Sequence, residues 1–122
     1  MNNKPFRFGP IALTNTLTTN LLNPPASSGG VNAGSSGNYI ILRIITIINK
    51  TASAATFSLW LGATGANVSG TEVFGQGQSI PANSYFSRSC YLRLDIGDFL
   101  VGGASVNAAL TIEAEGEIGV AG

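Results

Sequence analysis

The sequence predicts an all-β protein, a single antiparallel β-sandwich of about seven or eight strands and jelly-roll-like in form. Three observations point there. Good helix formers such as Glu, Lys, Gln and Arg are scarce, whereas Gly, Thr, Ser, Asn and β-branched residues abound. Apolar runs are short and recur between clusters of Gly, Asn, Pro and Ser, the punctuation of strands joined by tight turns. From Leu110 onward the chain alternates with period two: Leu110, Ile112, Ala114, Gly116 and Ile118 share one face, and Thr111, Glu113, Glu115 and Glu117 the other. A helix would scatter both sets.

Taken in order, residues 1–37 read as an extended N-terminal arm followed by a loop rich in Pro, Gly and Ser. A strand is plausible where Ile11, Leu13 and Leu17 alternate with polar residues. Residues 38–122 form the β-sandwich, and the whole chain counts as one structural domain. The run 38–49 puts Tyr39, Ile41, Arg43, Ile45 and Ile47 on one face and Ile40, Leu42, Ile44, Thr46 and Ile48 on the other. Both faces are apolar, so this strand is expected to be covered twice, by a loop, the arm or a neighbouring subunit. Residues 49–53 make a turn, and Ala55 to Leu61 return with Phe57, Leu59 and Leu61 on one side. Residues 62–70 read as a loop. A short strand over 71–74 is broken by Gly75-Gln76-Gly77-Gln78, and the Pro81 segment turns the chain. Tyr85 to Leu94 is a long strand with Phe86, Cys90, Leu92 and Leu94 on one face. Asp95 to Asp98 turns the chain again, and a short strand over 99–101 leads through Gly102-Gly103 into the final strand.

Composition removes several functions. Charged residues are 10% of the chain, against about 25% in an average soluble domain. Ser, Thr, Asn and Gly fill 49 of 122 positions and wet the surface instead. A net charge of zero gives no counterion-release grip on phosphates, so nucleic acid is not an expected partner. The absence of histidine removes the imidazole base and the usual zinc and iron ligands. One cysteine, Cys90, allows no internal disulfide and is expected as a small buried hydrophobe. No apolar block follows the basic start, so no secretory leader is expected. The most apolar run is too short to cross a membrane as a helix. No catalytic residue, cofactor site or metal site is predicted, and the chain is read as a non-enzyme.

Other clusters have plain explanations. Glu113, Glu115 and Glu117 could hold a cation or act as acid and base on a sugar, but a solvated acidic strand face facing Arg43, Arg88 or Arg93 accounts for them. Asp95 and Asp98 are ordinary turn residues. Trp60 and Tyr85 could form an aromatic sugar platform, against which stands simple packing. Asn49-Lys50-Thr51 and Asn67-Val68-Ser69 match the glycosylation pattern by chance in so Asn-rich a chain. The apolar residues expected to meet a partner are Phe6, Phe8, Ile11 and Leu13 on the arm and Ile41, Ile45 and Ile47 on the doubly apolar strand.

Four segments together carry a resemblance: Ile40 to Thr51, Ala54 to Thr64, Ile80-Pro81-Ala82-Asn83-Ser84, and Leu94 to Leu100. Over roughly residues 38–119 the chain resembles small β-sandwich proteins encoded among the virion structural genes of tailed bacteriophages. The resemblance implies a capsid decoration or cement protein, made in the host cytoplasm and located in the virion, on the capsid surface. It implies a homo-oligomer, a trimer above all, in contact with the major capsid protein or other virion proteins. Such a protein works passively, so deleting residues 1–20 is expected to abolish attachment and leave the sandwich folded. The alternatives are a tail, fibre or head–tail connector component, or a glycan-binding β-sandwich module.

Overall fold

Strands account for most of the chain because its β-branched and aromatic residues alternate with polar ones. The computed structural model describes residues 2–22, 39–63, 65, 71–95 and 98–120. The strands are β1 (Asn2–Ala12), β2 (Asn20–Leu22), β3 (Tyr39–Asn49), β4 (Ala55–Gly62), β5 (Val73–Ile80), β6 (Ser84–Asp95), β7 (Phe99–Ala104) and β8 (Leu110–Val120). They form two four-stranded antiparallel sheets, ordered β1-β8-β3-β6 and β2-β7-β4-β5.

The inward faces supply one core. Phe6 and Phe8 from β1, Ile40, Leu42, Ile45 and Ile47 from β3, and Leu110, Ile112, Ala114 and Ile118 from β8 meet Phe57 and Leu59 of β4 and Leu100 of β7. Each of the Phe, Ile and Leu side chains among them stabilises the fold by roughly 1.5–3 kcal/mol through removal from water. The open flank between β5 and β6 is closed by aromatic packing. Phe86 lies 5.1 Å from Phe57 and 5.7 Å from Phe74, and the Arg88 guanidinium sits 5.5 Å above the Phe74 ring.

Three elements differ from the sequence expectation. The N-terminal arm is a strand: β1 pairs with β8 from Asn2↔Val120 to Ala12↔Thr111. Pro5 is tolerated because β1 is an edge strand, and Pro10 because it sits in the irregularity between Phe8 and Ile11. Second, β5 runs through Gly75-Gln76-Gly77-Gln78 without a break. An irregularity absorbs the glycines, with Phe74 at φ 67° and Gly77 at φ 59°. Third, β7 extends through Gly102-Gly103 to Ala104, since Gly102 lets the backbone of β4 approach at Ser58.

The doubly apolar strand has a simple solution. Between Leu42 and Ile44 the register of β3 shifts against both neighbours. Arg43 is the extra residue relative to β8, a β-bulge that reverses the alternation. Ile40 and Leu42 point inward before it, and Ile45, Ile47 and Asn49 after it. One sheet face thus takes the large aliphatics from both of the strand's nominal faces.

Candidate functional site

The bulge leaves Tyr39, Ile41, Arg43, Ile44, Thr46 and Ile48 on the outer face of the first sheet. Register aligns them in rows with β8 and β6: Gly119–Tyr39–Asp95, Glu117–Ile41–Arg93, Glu115–Ile44–Ser89, Glu113–Thr46–Ser87 and Thr111–Ile48–Tyr85.

The first two rows are sealed by the chain's own side chains. Tyr39 packs flat on Gly119, where a side chain would collide with its ring, and its hydroxyl donates to Asn3 Oδ1. Arg93 stacks 4.3 Å above the Tyr39 ring and pairs with Asp95 at 3.0 Å. Arg43 lies 5.0 Å from the Tyr91 ring centroid and binds Glu117 Oε2 at 2.9 Å. Asn3 Nδ2 donates to the other oxygen of Glu117 at 3.0 Å. The hydrogen bonds from Asn3 and then Arg43 hold the Glu117 carboxyl below its ordinary value. Beneath this lattice Ile41 is only 5% exposed. At Ile41 the expected second cover is intramolecular, supplied by these side chains and by Asn3 of the N-terminal strand.

The remaining rows are less covered. Ile44, Thr46 and Ile48 are half-buried, and Tyr85 and Tyr91 of β6 are 68% and 59% exposed. A groove of about 340 Å³ opens there, lined by Thr46, Ile48, Asn49, Lys50, Ser84 and Tyr85. On the β8 side Glu113 and Glu115 share one basic neighbour, Arg7, which pairs in register with Glu115. Burial pushes the Glu113 carboxyl above its ordinary value, reinforced by the charge of Glu115 and a hydrogen bond with it; Arg7 opposes the shift. Glu113 Oε1 and Arg7 Nε are both shielded from water and lack a hydrogen-bond partner.

The seven residues expected at a partner interface lie elsewhere. Phe6, Phe8, Leu13, Ile45 and Ile47 are buried in the core, Ile41 lies under the Arg–Tyr lattice, and Ile11 packs against the core. The physical reason is pairing: once β1 joins β8, its alternate residues face the second sheet, and the bulge turns Ile45 and Ile47 inward. Residues that do face outward, Ile44, Ile48, Tyr85 and Tyr91, were not singled out for that role. Their signal in the sequence was the pair of tyrosines at odd positions of a strand whose even positions carry Phe86, Cys90, Leu92 and Leu94.

The other sequence candidates resolve individually. Trp60 is buried on the outer side of the second sheet opposite Val101, while Tyr85 belongs to the first sheet, so the two form no platform. Asn49 is buried with its side chain fully used: Nδ2 donates to the carbonyls of Ser53 (2.9 Å) and Ile80 (3.1 Å), and Oδ1 accepts from Thr51 N (2.9 Å) and Oγ1 (2.7 Å). It ties two turns together, which removes the nitrogen that glycosylation would modify. The pattern at 67–69 lies outside the described residues. Asp98 accepts from Asp95 N at 3.0 Å and donates its own N–H to Asp95 O, the bonding of a turn. Cys90 packs against the core with its thiol toward the Leu42 carbonyl, and burial pushes its pKa up.

The second sheet is differently dressed. Thr14, Thr16 and Leu17 pack across Gly103, where a β-carbon would lie 2.5 Å from the Thr14 carbonyl oxygen. Beside them a groove of about 300 Å³ is lined by Asn15, Thr56, Ser58 and Ser105. The two grooves lie on different sheets, the first between β3 and β6 and the second at β4 and β7. No helix among the described residues is long and apolar enough to cross a membrane. No protein-family model, curated protein or solved structure matches the chain.

Proposed function

We propose that this chain is a non-enzymatic structural protein of a bacteriophage virion, a jelly-roll module that decorates and cements the capsid. The observation that carries the reading is the strand order. Two facing sheets ordered β1-β8-β3-β6 and β2-β7-β4-β5 follow the plan of two interleaved Greek keys, an architecture used by viral shells and lectins. The resemblance of residues 38–119 to small phage virion proteins supports the same reading. So does the surface, where hydroxyls and amides replace charge and tyrosines stand exposed, a composition suited to lasting contacts.

The mechanism is passive. Self-association and contact with the major capsid protein bury apolar sheet surface, so expansion of the shell must break many contacts at once. The bridging residues are the outward-facing Ile44, Ile48, Tyr85 and Tyr91 rather than the core phenylalanines. The test is to band virus particles from a lysate of the source culture in a density gradient and quantify the chain by mass spectrometry. The expected result is a fixed ratio of this chain to the major capsid protein in the particle band. Its presence only in the soluble fraction overturns the proposal.

A further inference from the structure

We infer that the outer face of the first sheet receives a second copy of this chain, docked about a two-fold axis running along β3. The inference rests on the reading of the chain as an assembly module and names the surface and the partner.

Four observations carry it. On the second sheet residues 14–17 pack across Gly103, whereas on the first Ile44, Thr46 and Ile48 are half-buried and Tyr85 is exposed. The area is adequate. Four strands about 4.8 Å apart and about ten residues long present a footprint of roughly 600 Å² per copy. That clears the total of about 1,000 Å² expected of a specific interface. The composition is zoned, with Ile44, Ile48 and small hydroxyl residues beside Glu113 and Glu115 in the middle rows and the ion pairs Arg43–Glu117 and Arg93–Asp95 at one end.

The fourth observation selects a second copy. The charged end is already paired within the chain and offers little net charge to attract a partner of opposite sign. The face instead carries two complementary strips. Tyr85 and Tyr91 rise as a ridge on β6, and two strands away β8 presents Glu113 and Glu115, with Arg7 of β1 in register with Glu115. A two-fold axis parallel to β3 keeps the rows level and lays β6 of each copy over β8 of the other, which sets Tyr85 over Thr111, one row from Glu113, and Tyr91 next to the row of Glu115. The same contact then forms twice, as a closed dimer requires. Each tyrosine hydroxyl is a donor about one row from a carboxylate acceptor, and the rings flank the half-buried Ile44 and Ile48.

The test uses the intact chain. Sedimentation velocity over a concentration series is expected to show a dimer, with Tyr85→Glu raising Kd at least tenfold while the circular dichroism spectrum is unchanged. Nitration with tetranitromethane gives a second readout on the unmodified protein. Tyr85 and Tyr91 are expected to react when dilute and to be protected at dimer-forming concentration. A monomer at all concentrations, or an oligomer indifferent to Tyr85→Glu whose Tyr85 and Tyr91 still react, overturns the inference. These outcomes are independent of particle incorporation: a dimer absent from virus particles defeats only the virion reading, and a monomer found in them defeats only this one.

Discussion

The carbonyl of Ile41 occupies the place where Gly116 has no side chain. Gly116 pairs with Leu42 one step before the Arg43 bulge, and a β-carbon there would collide with the Ile41 carbonyl oxygen and lie 3.0 Å from Leu42 Cα. The bulge that sorts the aliphatics of β3 onto one face therefore depends on a glycine in the neighbouring strand. Gly116→Ala is expected to cost about 3 kcal/mol, at the upper end of overpacking penalties, because both colliding groups are backbone. Urea unfolding at constant m-value measures it, and a change below 1 kcal/mol would show that β3 can straighten without loss.

Asn49 bonds four groups from a site that is 1% exposed. Asn49→Ala leaves the Ser53 and Ile80 carbonyls and the Thr51 N–H without that partner. The expected loss is about 2–4 kcal/mol, the penalty of stranding several partly buried polar groups. Thermal unfolding followed by circular dichroism checks it. The Asn49-Lys50-Thr51 pattern should also remain unmodified when the folded protein meets a glycosylating system, as intact mass would show.

Glu113 and Glu117 give opposite dependences on pH. The Glu117 carboxyl is held below its ordinary value, so its contribution is present above the unfolded-state pKa and fades as pH falls through the folded one. The Glu113 carboxyl is raised, so the folded state binds the extra proton, and stability is lost as pH rises from the unfolded value through the raised one. Glu113→Gln is accordingly expected to raise Tm at pH 7. The gain should shrink toward zero as pH falls below the raised pKa, where the native carboxyl is already neutral. Calorimetric scans from pH 4 to 8 decide this. An equal gain at every pH would assign the effect to packing instead.

Removing β1 is expected to unfold the sandwich. The strand covers one edge of β8, and Phe6 and Phe8 fill the core at 2% and 0% exposure. Phe8→Ala should cost about 4 kcal/mol, the usual range for a buried phenylalanine. Deletion of residues 1–12 should abolish the cooperative transition. This reverses the expectation that a truncated chain stays folded and only loses attachment. A cooperative melt from the truncated chain would restore the arm.

Only local order can be read along the chain. The alternation of β8, the apolar inner positions of β6 and the turn residues at 49–53 and 81–83 are visible because side-chain period and turn chemistry act over a few neighbouring residues. The acidic face of β8 was legible for the same reason, down to the pairing of Glu117 with an arginine across the sheet. Tertiary structure alone decided which nominal face of β3 points inward, since a bulge at Arg43 leaves no mark in a run of isoleucines. It also decided that residues 2–12 are a strand, because their partner lies more than a hundred residues away in β8, and that Trp60 is buried while Tyr85 is not. Strand partners are chosen by the fit of whole faces in the closed sandwich, and that energy exists only once both sheets have met.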